Sequence, residues 1–339
     1  MRIFGRLGLI CACLFAAAGA QAVDVLRVLA WPGYADSDLL TAFERKHGVD
    51  VEVIEVGSDD ELWERATAGA RAFDVIALNT AELQRYIDAG QVLPLRMRNI
   101  PNTQLQVPRF QNASGIPGLM RGGHQYAVPY TYSEMGLIYN RRLVNEPPTS
   151  INALWDPRYR GKVLAYNGSS HNFTLAAQSL GLPDPFRLDA AQFTRTIHQL
   201  RALRDNVLHF YSRPEEVAES LRREEVAIVY ANYGRQQLRQ LERAGGFDVG
   251  YVIPREGALA WLDCWAVLRS AQDPALAEAF INHMLSPAVS NQLTVRQGLS
   301  NTLSEPRESG RIIWLEPVED YARRALFWER ILAGHRGGQ

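Results

Sequence analysis

From Leu26 onward, short apolar runs alternate with stretches whose apolar residues recur at helical spacing. Leu26 to Ala30 predicts a strand, followed by the turn Trp31-Pro32-Gly33-Tyr34. Asp36 or Ser37 can cap a helix carrying Leu39, Leu40 and Phe43, which Gly48 ends. Val51 to Val56 predicts a second strand, and Ser58 and Asp59 open a helix to about Ala70. Val75 to Leu78 predicts a short buried strand, and a helix from about Ala81 to Ala89 stops at Gly90. Repeated strand-helix units of this kind imply a mostly parallel sheet flanked by helices.

The pattern restarts after about Tyr126. Val163 to Ala165, Val226 to Tyr230 and Val249 to Ile253 predict strands. Helices are expected through Leu175 to Leu180, over about 190–204, and from Pro214 to Arg223, with Pro in a favourable first turn. Two more start near Pro274 and Pro287, and a last one covers about Val318 to Leu332. The fold class expected is α/β, in two units.

Ala260 to Val267 carries the most chemical information. As an extended strand it puts Trp261, Asp263 and Trp265 on one face, with Leu262, Cys264 and Ala266 on the other. A carboxylate between two indoles suits a cleft that grips a cation: the rings offer negative π faces and the carboxylate a charge-assisted hydrogen bond. The alternative is a structural Asp paired with an Arg under core tryptophans. Trp31 and Tyr34 follow the first strand, where open α/β sheets place ligands. They either stack on a ligand or plug the core. Asn79 and Thr80 hold the equivalent position after the third strand, as polar contacts or as a helix cap. Tyr230 and Tyr233 follow a strand of the second unit.

Composition narrows the class. Residues 1–22 read as a secretory signal peptide: Arg2 and Arg6, an apolar run from Leu7 to Ala18, and the cleavage signal Ala20-Gln21-Ala22. Neither Cys11 nor Cys13 follows a convincing lipidation motif. Removing the segment lowers the basic count from 36 to 34 against 37 acidic residues, no footprint for nucleic acid or an anionic membrane. Only Cys264 remains, so no disulfide framework is expected. Two ordinary cores fit the length. The seven histidines show no ligand spacing, and no hydrolase elbow, zinc-protease motif or phosphate loop occurs. No metal, cofactor or enzymatic activity is expected.

Several segments are collinear with one family: Trp31-Pro-Gly-Tyr34, Phe73-Asp74-Val75-Ile76, Tyr126-Ala-Val-Pro129-Tyr130, Leu154-Trp155-Asp156-Pro157-Arg158-Tyr159-Arg160-Gly161, and Pro254 to Asp263. From Leu26 to Leu303 the chain resembles type II periplasmic solute-binding proteins, and more closely the spermidine/putrescine-binding branch of ABC transporter receptors. The resemblance implies two α/β lobes, a hinge, and a ligand enclosed between them. Lobe one would hold residues 23–128 and 255–303, and lobe two 129–254 and 304–336, with crossings near Pro129, Pro254 and Leu303. It implies ligand contacts from Trp31, Tyr34, Tyr230, Trp261 and Asp263; Asn79 and Thr80 join the expected site by their position after the third strand, and His171 as the side chain standing at the family's second-lobe site. The family's second-lobe acidic site falls around Gly168 and His171, where this chain has no carboxylate. Ala81 and Leu299 replace expected tyrosines.

A polyamine would therefore keep one end unmatched unless Glu82, Asp59 or Asp60 compensates. An Arg clamp on a ligand carboxylate, from Arg235 or Arg213, is the other option. The expected function is periplasmic capture of a putrescine- or spermidine-class cation, or a different amine or amino-acid-like solute, by a monomer. Its partner would be an ABC permease in the inner membrane or, alternatively, a membrane sensor.

Overall fold

The computed structural model describes residues 24–69, 72–305 and 312–334. The expected signal peptide lies outside these residues, as do Cys11 and Cys13. The first unit runs β1 (Asp24–Ala30), α1 (Ser37–His47), β2 (Val49–Glu55), α2 (Asp59–Thr67), β3 (Val75–Asn79), α3 (Thr80–Asp88) and a short α4 (Pro108–Gln111). A small hairpin, β4 (Met120–Arg121) and β5 (His124–Gln125), leads to β6 (Ala127–Met135). The second unit comprises β7 (Leu137–Asn140), β8 (Val163–Tyr166), α5 (Ser169–Ser179), α6 (Ala190–Asn206), β9 (Val207–Tyr211), α7 (Pro214–Arg223), β10 (Ile228–Tyr230), α8 (Arg235–Ala244) and β11 (Val249–Val252). The chain then adds β12 (Ala258–Val267), α9 (Pro274–Met284), α10 (Pro287–Gln297), β13 (Ser300–Asn301), β14 (Ile312–Trp314) and α11 (Tyr321–Leu332).

Two sheets organise these elements. The first has the order β13-β6-β12-β3-β1-β2, with β14 beside β12; the second is β11-β7-β10-β8-β9. β1 runs parallel to β2 and β3, whereas β12 is antiparallel to both β3 and β6. β12 is buried along its whole length. This gives the two-lobed α/β architecture of type II periplasmic binding proteins. Among the described residues no helix is long and apolar enough to cross a membrane.

The local chemistry at the helix starts bears on the site. Ser58 Oγ accepts from the Glu61 N–H at 3.1 Å, and Asn79 Oδ1 accepts from the Glu82 N–H at 3.0 Å. These caps satisfy amides left free in the first turns of α2 and α3. Asp59 and Glu82 thus sit in first turns, where the helix dipole favours negative charge.

The passages between sheets differ from the sequence expectation. β6 stays in the first sheet through Met135, so the chain leaves it at Gly136 and not near Pro129. Gly136 is required there: a Cβ would meet the Tyr251 ring at 2.6 Å and the Val252 carbonyl at 2.7 Å. Tyr251 clamps this passage, its hydroxyl donating to Glu134 O at 2.7 Å and accepting from Gly136 N–H at 3.0 Å. The return lies between β11 and β12. Beyond Leu303 the chain first pairs β14 with β12 of the first sheet. Only then does α11 cross to pack on α5 and α6. The periodicity gave no sign of β9, α8 or the β6–β7 pair. Polar residues dominate α8, and β6 is buried on both faces, which erases alternation.

Candidate functional site

Six of the eight residues expected at the site line one cavity between the lobes: Trp31, Tyr34, Asn79, His171, Trp261 and Asp263. Asp59, Tyr166, Asn232, Tyr233 and Gln236 complete its wall. Trp31 and Tyr34 reach it from the turn after β1, Asn79 from the end of β3, and Trp261 and Asp263 from β12. The register places Asp263 directly opposite Asn79. Cross-strand neighbours of this kind lie about 5 Å apart at Cα.

Thr80 and Tyr230 do not reach the cavity. Thr80 is the buried first residue of α3. Tyr230 ends a central strand covered on both faces, and its hydroxyl lies 3.5 Å from Met135 Sδ in the core. The second lobe presents Tyr166 and Tyr233 instead. Trp265 shares strand parity with Trp261 but packs deeper, edge-on to Phe280 and Tyr34. A bulge accompanies the change: β6 pairs Thr131 with Asp263 and Pro129 with Cys264, leaving Tyr130 unpaired between them.

Asp263 is 5% exposed and makes no ion pair among the described residues; the Tyr34 hydroxyl donates to its Oδ2 at 2.5 Å. The arginine-paired alternative therefore falls. Burial pushes the Asp263 carboxyl up to about 7, partly offset by the Tyr34 hydrogen bond. Arg235 pairs with Glu134 away from the cavity, and no lysine or arginine lines the wall.

Asp59, from sequence one of three candidate compensating carboxylates, stands in the cavity wall. Its Oδ1 accepts from Asn79 Nδ2 at 3.0 Å, and its Oδ2 lies 3.6 Å from His171 Nε2. Burial and then the nearby Asp263 and Asp60 charges raise Asp59 to about 8. Glu82 is raised to about 8 by burial, then by Asp59, with Arg85 opposing. At 168, where the resemblance expects acidic chemistry, a Cβ would meet the Tyr166 ring at 2.4 Å. The aromatic ring occupies that space.

The lobes are closed on one another. Tyr166 and Tyr233 hydroxyls donate to Gly57 O at 3.2 and 3.0 Å. Trp261 Nε1 donates to Asn232 O at 2.8 Å, and Gln236 Nε2 to Pro32 O at 3.2 Å. The space left between them is about 30 Å³, room for a water or two. Trp31 Nε1 and His171 Nε2 are buried there without hydrogen-bond partners. No cluster able to hold a metal occurs among the described residues.

Comparison with known proteins accords with this geometry. The family model described as bacterial extracellular solute-binding protein matches residues 38–305. Spermidine/putrescine-binding periplasmic protein 1 of Haemophilus influenzae is 25% identical over 297 residues, covering 87% of this chain and 79% of its own. The putrescine/cadaverine-binding protein of Pseudomonas aeruginosa is 24% identical over 305 residues, 86% of this chain and 83% of that protein. Among solved structures, the Tp0655 (TpPotD) lipoprotein of Treponema pallidum superposes with a TM-score of 0.76 at 17% identity, covering 91% of this chain and 99% of that one. The PBP MotA of A. tumefaciens B6, in complex with glucopine, gives 0.75 at 15% identity with the same coverage. With four-fifths of its length matched by the family model and two lobes closing on a shared cavity, this chain belongs to the bacterial extracellular solute-binding proteins, a family of solute binders and not of enzymes.

Proposed function

We propose that the protein captures a polyamine-like cation of the putrescine/spermidine class in the periplasm and delivers it, as a monomer, to an ABC permease. The observation that carries this reading is Asp263: a buried carboxyl with no protein cation, bonded to Tyr34 and flanked by Trp31 and Trp261 in a wall free of lysine and arginine. A buried carboxylate without a partner is costly, so the site is complementary to a ligand that brings its own positive charge. The indoles add cation–π attraction, strongest where water is excluded. The names of the relatives point to the same ligand class. A diamine is larger than the closed cavity, so it seats with the lobes set slightly wider, as hinge closure allows.

The test is a calorimetric and thermal-shift panel on the mature protein, with putrescine, spermidine, cadaverine and acidic or neutral amino acids. Amines should bind and raise the melting temperature by mass action. Binding of only anionic or neutral solutes would overturn the assignment.

A further inference from the structure

A second pair of groups in the wall has unmet chemistry. His171 Nδ1 lies 2.9 Å from Asn232 Oδ1, so the ring N–H is donated there and Nε2 keeps its lone pair. Burial lowers the His171 pKa, so the ring is neutral. His171 is only 6% exposed, and its buried Nε2 has no hydrogen-bond partner and faces Asp59 Oδ2 at 3.6 Å. Once Asp59 is ionised, two acceptors therefore face one another with no protein donor between them. Trp31 Nε1 is likewise unpartnered in the same cavity. The groups facing Asp59 are acidic in excess: Asp60, Glu82 and Asp263 against the single Arg85, whose guanidinium stacks on Trp63 and pairs with Glu82.

We propose that Asp59 and His171 Nε2 form a second ammonium subsite, so that the cleft holds a dication between Asp263 and Asp59. This rests on the amine reading above and adds where the second charge goes: onto the first lobe, at the start of α2. Without ligand, a proton on Asp59 fills the gap and is donated toward His171 Nε2. When the ammonium arrives, its N–H groups take over both acceptors and the Asp59 proton leaves to solvent. The carboxyl's raised pKa, about 8, agrees with a group that is protonated near neutrality until a cation displaces the proton. Asp263 and Asp59 flank Asn79, so the first lobe supplies both charges while the second supplies His171 and the closing tyrosines.

The experiment is calorimetry with putrescine and with n-butylamine at pH 7, in two buffers of different ionisation enthalpy, on wild type, Asp59→Asn and His171→Phe. Wild type should prefer putrescine strongly and release protons on binding it. Asp59→Asn should lose about tenfold to a thousandfold in putrescine affinity, change little for butylamine, and release fewer protons. His171→Phe should narrow the same preference, so the inference stays testable should the Asn variant fail to fold in apo melting. Putrescine affinity within about threefold of wild type, equal losses for both amines, or unchanged proton release overturns the subsite while leaving the amine reading intact. Wild type that binds neither amine overturns both.

Discussion

Replacing Asp263 by Asn separates a ligand anchor from a structural residue. The amide keeps the size of the carboxyl, and its oxygen can still accept from the Tyr34 hydroxyl, now at 2.5 Å from Oδ2. What disappears is charge. Burial holds the carboxyl at about 7 instead of 3.8, which means the fold disfavours the anion by on the order of 4 kcal/mol. An ammonium must offset that penalty, and truncating one partner of a buried charge pair costs about 2–5 kcal/mol of binding. At pH 8, where most of the carboxyl is ionised, putrescine affinity should fall by about thirtyfold to several thousandfold. The apo protein should melt at the same temperature or higher, because the neutral amide escapes the desolvation cost. Calorimetric titration and apo melting curves on wild type and variant measure both quantities. A variant that binds putrescine normally but melts markedly lower in the apo state would refute the reasoning, since Asp263 would then serve the fold.

Other outcomes follow from the same geometry. Asp59, Glu82 and Asp263 have folded-state pKa values raised to about 8, 8 and 7, so the folded apo protein holds protons that the unfolded chain gives up. Their contribution to apo stability is present at about pH 4 and is lost as pH rises through 7 to 8. Apo melting temperature should therefore drop over that range while putrescine affinity rises; melting curves and titrations from pH 5.5 to 8.5 check it, and a flat affinity profile would contradict it. Tyr233→Phe removes the hydroxyl that donates to Gly57 O and Ser212 O and should weaken ligand binding by about 1 kcal/mol, with small-angle scattering shifted toward an open shape. Arg324 is fully buried, pairs with Glu319 at 2.6 Å, and donates to Thr174 Oγ1 and Phe186 O, so Arg324→Met should cost about 3–5 kcal/mol of stability. The order of preference among ligands should stay unchanged, and denaturant unfolding would show an error if the midpoint hardly moved.

Local periodicity determined a large share of this protein. The alternation in Ala258–Val267 sets Trp261 and Asp263 on one face because strand parity is a property of the backbone, independent of what packs above it. The turn Trp31–Tyr34 follows a strand end, so it borders the crevice in any sheet of this handedness. The absence of a carboxylate at Gly168 and His171 was also legible directly. Tertiary structure alone decided the rest. Tyr230 and Tyr233 lie three residues apart, but one ends a doubly covered strand and the other belongs to the turn beyond it. Trp265 obeys the same parity as Asp263, yet the surrounding aromatic cluster takes it into the core. Above all, Asp59 stands beside Asp263 only because β12 pairs with β3, opposite Asn79, whose amide reaches back to α2. The β12–β3 pairing joins Asp263 to a residue more than 180 positions earlier, and pairing across such distances depends on packing and register, which no local pattern encodes.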